Sequence, residues 1–198
     1  MIAGLLLASG ASRRFGSNKL LADLAGRPVV RWSADALAGT VDLLVVVVPD
    51  GATALRAALD GLDARFVENA AANEGMASSI RAGIAVLPPE VEAVVIVLGD
   101  QPTVVPDVVR RVVDRWRDAP PGTLAVTTSY ADGRGHPTLI GAELFHSLLS
   151  LTGDRGARDL LDSLGDAVAS VEVVGARPAD VDTPAALAAL ARDVARRQ

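Results

Sequence analysis

A loop of small and cationic residues follows the first apolar stretch of the chain. Residues 2–7 read IAGLLL, a composition typical of a buried strand, and residues 8–19 read ASGASRRFGSNK. Small residues let backbone N–H groups approach an anion closely, and Arg13 and Lys19 add full positive charges. The loop is not a Walker A loop, because five residues separate its glycines and the lysine comes three positions later. It predicts a phosphate-binding site of another kind.

Carboxylates at two later places have the chemistry of a magnesium site. Asp100 follows the apolar run 91–98, and Asp180 and Asp182 are two residues apart, on the same side of an extended segment. Mg²⁺ binds one or two carboxylates together with phosphate oxygens and water. Asp100 and Asp182 are therefore candidate metal ligands. The alternatives are that Asp100 caps its own turn, that Asp182 caps the helix beginning at Pro184, or that Asp180 is the ligand.

The first loop resembles the signature of the MobA-like nucleotidyltransferases. We assign the fixed positions of that signature to Leu7, Ala8, Gly10, Ser12, Arg13, Gly16 and Lys19. Members that transfer guanylyl groups read L-A-G-G here and those that transfer cytidylyl groups read L-A-A-G, whereas this chain has Ala8-Ser9-Gly10. The alternative is a surface loop whose basic residues are merely solvated.

Three later segments resemble the same family. The LGDQP sequence containing Asp100 is similar to the strand-end motif whose aspartate holds the metal. The DVDTP sequence is similar to the segment that brings a second carboxylate, here Asp182, to that metal. Residues 73–83 resemble the N-x-G-M-x-x-S-x-x-x-G segment of molybdopterin cytidylyltransferases, which implies a nucleobase contact from Ser79. The alternative is that Ser79 is an ordinary residue of a helix N-terminus.

Two segments resemble the acceptor side of the cytidylyltransferase branch. They are the GHP sequence containing His136 and the LTGDRGAR sequence at 151–158, which contains Asp154 and Arg158. The alternatives are a structural histidine, an aspartate that caps the following helix and an arginine in a surface ion pair.

The resemblance implies a magnesium-dependent transfer of CMP from CTP to molybdopterin, with release of pyrophosphate. The implied catalytic residues are Arg13, Lys19 and Asp100. The implied nucleotide-binding residues are Ala8, Ser9, Gly10, Arg13, Lys19, Gly75, Ser79 and Asp100. Asp100 and Asp182 would hold Mg²⁺, and the implied acceptor contacts are His136, Asp154 and Arg158. The implied protein partner is a molybdoenzyme or an insertion chaperone. The alternatives are a sugar-phosphate, polyol-phosphate or GTP-using nucleotidyltransferase, or a non-catalytic nucleotide-binding protein that delivers the cofactor.

Composition favours one domain over residues 1–198. The formal net charge is −5 and cysteine is absent, which argues against a nucleic-acid partner and excludes disulfides and thiolate metal sites. No apolar stretch is long enough to span a bilayer, and we expect a cytoplasmic protein without membrane contact.

Strand and helix patterns alternate along the chain. Strands are predicted at 2–7, 43–48, 64–67, 91–98, 124–129 and 168–174. Helices are predicted at 28–37, 53–59, 76–87, 106–116, 141–149, 153–164 and 184–196, and residues 130–136 are predicted to form a polar loop. This order predicts a three-layer α/β fold, with a mostly parallel sheet and helices on both faces. The resemblance implies the Rossmann-like nucleotide-diphospho-sugar transferase type, with the site at the carboxyl ends of the strands.

Overall fold

The computed structural model describes residues 1–10, 14–154 and 156–196. The strands are β1 (Ile2–Leu7), β2 (Asp23–Leu24), β3 (Arg27–Pro28), β4 (Leu43–Pro49), β5 (Arg65–Asn69), β6 (Ala93–Leu98), β7 (Ala125–Tyr130), β8 (Gly133–Gly141) and β9 (Val168–Glu172). The α-helices are α1 (Val29–Leu37), α2 (Thr53–Ala58), α3 (Met76–Ile84), α4 (Pro106–Arg117), α5 (Phe145–Leu149), α6 (Arg158–Ser163) and α7 (Pro184–Ala195). Short 3-10 turns lie at Lys19–Leu21, Ala72–Glu74, Ala142–Leu144 and Gly165–Ala167.

Seven strands form one sheet, in the order β5-β4-β1-β6-β8-β7-β9. β1 pairs in parallel with β4 on one side and β6 on the other, so that Leu5 lies opposite Val45 and Ile96. β8 is antiparallel to both of its neighbours, and β7 pairs in parallel with β9. The predicted α/β fold with a mostly parallel sheet is confirmed.

Helices cover both faces of the sheet because its central strands are aliphatic on both sides. On one face α1, α2 and α4 pack against alternate residues of the central strands, among them Leu6 and Val46. On the other face α3 and α5 pack against the intervening residues, among them Leu5 and Val45. A Cβ on Gly83 would overlap the side chain of Leu5, which shows how closely α3 approaches the sheet.

The prediction of a polar loop at 130–136 was wrong. Only Ala131 and Asp132 connect β7 to β8, which then runs to Gly141 in the middle of the sheet. Glycine and proline weigh against a strand in a sequence-based prediction. Here burial and pairing on both edges outweigh that preference, because Leu139 and Ile140 are fully buried between β6 and β7.

The helix predicted at 153–164 is shorter, because α6 begins only at Arg158. Gly153 and Gly156 have φ values of +75° and +57°, which a right-handed helix does not contain. In the described part of the chain, no helix combines the length and the apolar character needed to cross a membrane.

The sheet has a topological switch point at β1. The chain leaves β1 towards β4 and β5 on one side and then returns to β6 on the other. In open α/β sheets, ligands bind beyond the carboxyl ends of strands that diverge in this way. The segments that follow β1 and β6 are the loop ending at Lys19 and the turn containing Asp100.

Candidate functional site

A lysine joins the two carboxylates at the switch point. The Nζ atom of Lys19 lies 2.6 Å from Oδ2 of Asp100 and 2.7 Å from Oδ1 of Asp182. A guanidinium nitrogen of Arg14 lies 2.6 Å from Oδ2 of Asp182. Residues more than 80 positions apart thus form one cluster of alternating charge.

Local structure explains where Lys19 and Asp100 stand. Asn18 caps the 3-10 turn of Lys19 by accepting a hydrogen bond from the Leu20 amide at 3.1 Å, and Leu20 is buried in the core. Asp100 follows Gly99, which comes directly after β6 and whose amide donates to the Leu7 carbonyl of β1 at 2.9 Å. Both charged groups are therefore held by buried backbone next to them.

The segment before α7 presents Asp182 to this cluster. The Val181 amide donates to the Asp100 carbonyl at 2.9 Å, and the Val181 side chain is buried. Thr183 is the N-cap of α7, since its Oγ1 accepts from the Ala186 amide at 3.1 Å. Asp182 is therefore not the cap, and its carboxylate contacts the two cations. Asp180 instead accepts a hydrogen bond from Gln101 at 2.8 Å.

The ionisation of the cluster follows from burial and from the contacts of Lys19. Burial raises the pKa of Asp100, and the ammonium of Lys19 only partly offsets this effect. The hydrogen bond from Lys19 is the main cause that lowers the pKa of Asp182. Burial opposes the charge of Lys19, but the two carboxylates together outweigh it and raise the pKa of the lysine.

The donor set of the cluster fits a hard divalent cation. Both carboxylates already contact one cationic atom, the Lys19 nitrogen, so they are able to reach one metal ion. In the described part of the chain, no group of three or more Asp, Glu, His or Cys residues is arranged around a metal position. Two carboxylates, completed by phosphate oxygens and water, match the way proteins bind Mg²⁺.

The cluster opens into a cavity of about 510 Å³. Its lining includes most of the predicted nucleotide-binding residues, namely Ser9, Gly10, Lys19, Gly75, Ser79 and Asp100, together with Asp182. The hydroxyl oxygens of Ser9 and Ser79 are 2.5 Å apart, and Asn69 donates to Ser79 at 3.2 Å. Ser78 also accepts from Asn69, at 2.9 Å, and its hydroxyl donates to the Gly75 carbonyl at 2.8 Å at the start of α3. The segments that follow β1, β5 and β6 thus meet at this cavity.

Ala8 of the first loop belongs to the core, and the arginine of the family signature is Arg14. The Ala8 amide donates to the Val47 carbonyl at 2.8 Å and its side chain is buried, so it is not free to bind a phosphate. Arg13 lies outside the described residues. Counted from Leu7, the arginine position of the signature L-A-x-G-x-S-x-R-x-G-x-x-K falls on Arg14, which corrects the assignment to Arg13.

A larger cavity of about 970 Å³ lies beside the first one, and His136, Asp154 and Arg158 all line it. His136 Nδ1 lies 3.2 Å from the Ile96 carbonyl, which only accepts, so this nitrogen carries the proton. Burial lowers the pKa of His136, and the charge of Arg158 lowers it further, while Asp180 has the opposite effect.

A wall shared by both cavities separates them. Met76, Leu98 and Asp154 line each of them. The Gly153 carbonyl accepts from the Ala77 amide at 3.0 Å, which ties the loop of Asp154 to the start of α3. At Gly75, with φ of +96°, a Cβ would overlap the Asp154 carboxylate. Asp154 therefore packs on Gly75 and does not cap α6, which has no side-chain cap.

Sequence reasoning missed three polar residues of the site. Arg14 contacts Asp182, Asn69 holds Ser79, and Gln101 holds Asp180. Asn69 ends β5 at the carboxyl edge, which was a usable signal. Gln101 carried no such signal, because its partner is 79 residues away.

A family model described as the MobA-like NTP transferase domain matches residues 4–168. The crystal structure of Rv0371c from Mycobacterium tuberculosis H37Rv superposes with a TM-score of 0.83 and 36% identity, over 96% of this chain and 97% of that one. A manganese complex of Rv0371c superposes with a TM-score of 0.78 and 34% identity, over 96% and 98%.

Two curated relatives match over shorter stretches. "Bifunctional protein GlmU" from Burkholderia ambifaria is 34% identical over 134 residues, or 66% of this chain. "Probable molybdenum cofactor guanylyltransferase" from Natronomonas pharaonis is 32% identical over 114 residues, or 57% of this chain. The chain spans 29% of the first relative and 55% of the second. The family match, which covers most of the chain, shows that the protein belongs to the MobA-like NTP transferase family and is a nucleotidyltransferase.

Proposed function

We propose that this protein transfers CMP from CTP to a molybdopterin-type phosphorylated acceptor, with Mg²⁺ as cofactor and pyrophosphate as the second product. The observation that carries the proposal is the position of the Lys19–Asp100–Asp182 cluster beside two adjoining cavities. Nucleotidyl transfer requires two substrates side by side, with their phosphates meeting next to bound positive charge.

The nucleotide is assigned to the cavity of about 510 Å³, with its triphosphate towards Lys19. A phosphate oxygen of the acceptor attacks the α-phosphorus in line. A new P–O bond forms as the bond from the α-phosphorus to the bridging oxygen breaks, and pyrophosphate leaves with that electron pair. Lys19 and Arg14 supply positive charge along this path, and both stand at the cluster. Arg13, adjacent in sequence, stays a candidate for the same task.

Asp100 and Asp182 are the residues that would hold Mg²⁺. When bound, the ion supplies neutralisation of charge on the reacting phosphates. The family relation to Rv0371c, for which a manganese complex exists, supports a divalent-cation requirement. Asp180 is the less suitable ligand, because its Oδ1 already accepts a hydrogen bond from the Gln101 amide at 2.8 Å.

The acceptor is assigned to the cavity of about 970 Å³. Its lining includes Arg158, an exposed cation for which the described residues offer no ion pair. Such an exposed guanidinium is able to bind an acceptor phosphate through charge-assisted hydrogen bonds. His136 is protonated at Nδ1 when neutral, so its Nε2 is able to accept a hydrogen bond from an N–H or O–H group of the acceptor.

The choice of CTP depends on the residues beneath the base. Ser9 and Ser79 fill space in the nucleotide cavity with two hydrogen-bonded hydroxyls, which favours the smaller pyrimidine ring. GTP is the second candidate, because curated relatives are named molybdenum cofactor guanylyltransferases. Replacing Ser9 with glycine would remove one hydroxyl, and we expect Ser9→Gly to raise the relative rate with GTP.

The test is pyrophosphate release from each of the four nucleoside triphosphates with Mg²⁺, in the presence and absence of molybdopterin. Release from CTP that needs molybdopterin is expected. Molybdopterin-dependent release from GTP would correct the base, and release only with a sugar phosphate would correct the acceptor. Asp100→Asn should bind nucleotide and release no pyrophosphate. Nucleotide binding by the wild type without turnover on any acceptor would indicate a cofactor-delivery protein.

A further inference from the structure

Gln101 has a buried side-chain amide, and its nitrogen end is hydrogen-bonded. Its side chain follows Asp100, is 7% exposed and lines the larger cavity. Nε2 donates to Oδ1 of Asp180 at 2.8 Å. A carboxylate accepts hydrogen bonds and has none to donate, so Asp180 fixes which end of the amide faces it. The other end, Oε1, is buried and has no hydrogen-bond partner within the described part of the chain.

The glutamine is a poor residue for stability alone. A buried carbonyl oxygen without a hydrogen bond is unfavourable, and an apolar side chain of similar size would avoid that loss. Its side-chain partner among the described residues, Asp180, is exposed and is able to bind water in place of the amide. The contact between Gln101 and Asp180 therefore adds little to folding and calls for another explanation.

That contact lies beside the metal-site carboxylates. Two links join the turn after β6 to the segment before α7: the Gln101 side chain to Asp180, and the Val181 amide to the Asp100 carbonyl. Asp182 follows directly. The Asp182 amide donates to the Asp180 carbonyl at 3.1 Å, which closes a tight three-residue turn, so the place of Asp180 constrains the place of Asp182.

We propose that Gln101 is a positioning residue that, through Asp180, sets the separation of the Asp100 and Asp182 carboxylates and so strengthens divalent-cation binding. This inference rests on the proposed metal role of the two carboxylates. Without the amide, the backbone link at Val181 and the contacts of Lys19 and Arg14 with Asp182 remain, but the Asp180 side chain is no longer held against Gln101. The carboxylates then converge on one cation less often, and affinity for the ion falls.

The experiment measures Mn²⁺ binding to the nucleotide-free protein by electron paramagnetic resonance, with the thermal midpoint of each variant as a folding check. Gln101→Met keeps the size of the side chain and removes the hydrogen bond. Asp180→Ala and Asp180→Asn both remove one negative charge, but only Asp180→Asn keeps an oxygen that accepts from Gln101. Asp100→Asn removes a proposed ligand.

We expect Gln101→Met and Asp180→Ala each to weaken Mn²⁺ binding by roughly three- to tenfold, with no further loss in the double variant, because both remove the same contact. Asp180→Asn should stay within about twofold of the wild type. Gln101→Met should not lower the thermal midpoint.

Two outcomes would overturn the inference. One is Mn²⁺ affinity in Gln101→Met equal to that of the wild type. The other is an equal loss of Mn²⁺ affinity in Asp180→Ala and Asp180→Asn, which would indicate that Asp180 acts through its charge and not by positioning Asp182. Failure of the proposed metal site is a separate result, since Asp100→Asn would then bind Mn²⁺ as the wild type does.

Discussion

Lys19 occupies the position between the two carboxylates that a divalent cation would use. A metal ion that binds both Asp100 and Asp182 must displace the ammonium group, because each carboxylate lies within 2.7 Å of it. Removing the ammonium in Lys19→Met removes this competition. We therefore expect Lys19→Met to bind Mn²⁺ more tightly than the wild type in the absence of nucleotide, although it should lose turnover.

The size of the effect follows from the exposure of the two pairs. The Lys19 and Asp100 side chains are 11% and 20% exposed, whereas Asp182 is 34% exposed and is screened more strongly by water. A hydrogen bond to a charged group contributes about 1.5–3 kcal/mol. Discounting it for partial exposure leaves about 1–2 kcal/mol of competition, which corresponds to roughly 5- to 30-fold tighter Mn²⁺ binding.

The assay is a Mn²⁺ titration followed by electron paramagnetic resonance, with Arg14→Met as the matched control. Arg14 also contacts Asp182, but its side chain is 74% exposed, so the contact should matter little. We expect Arg14→Met to change Mn²⁺ affinity by less than about fivefold. Equal or weaker Mn²⁺ binding in Lys19→Met would refute the idea that lysine and metal compete for the same oxygens.

Two further predictions concern the cavity walls, one at His136 in the larger cavity and one at Gly75 in the smaller. Because the pKa of His136 is lowered from 6.5, the unfolded chain binds a proton below that pH that the folded chain does not. The free energy of unfolding should therefore fall on acidification by up to about 1.4 kcal/mol per pH unit between 6.5 and the folded pKa. Urea unfolding of His136→Asn should lack this slope and that of His146→Asn should keep it; the same slope in both would contradict the assignment. Gly75→Ala should lower the free energy of unfolding by about 1–3 kcal/mol more than Gly175→Ala. Both glycines have similar positive φ, +96° and +104°, but only at Gly75 does a Cβ meet Asp154. Equal losses of unfolding free energy in the two variants, measured by thermal or urea unfolding, would mean that the Asp154 loop moves to make room.

The parallel half of the sheet could be predicted from sequence because its signals are local. The aliphatic runs of β1, β4 and β6 are uninterrupted, and each ends in residues that leave the sheet at once. The segments after β1 and β6 were therefore expected to meet, and the contacts of Lys19 with Asp100 agree with that expectation.

The antiparallel strand could not be predicted in this way. The sequence of β8 begins with Gly133 and contains Pro137, and both residue types disfavour strands. It is a strand because it pairs on both edges, with β6 and with β7, and both pairs are antiparallel. Tertiary contacts outweighed local preference here.

The N-cap of α7 is another feature that could not be predicted from the sequence alone. Asp182 and Thr183 are both good N-cap residues, so the sequence left the role of Asp182 open. The hydrogen bond from the Ala186 amide to Thr183 assigns the cap. The Asp182 carboxylate is therefore not used by the cap and contacts Lys19.

The family match covers one of the two proposed metal carboxylates and not the other. The family match covers residues 4–168, which include Lys19 and Asp100 but end before Asp180 and Asp182. The second carboxylate, Asp182, and the contact of Asp180 with Gln101 thus depend on a late segment that packs against the turn after β6. Contacts over such separations are built by topology and not by motif spacing.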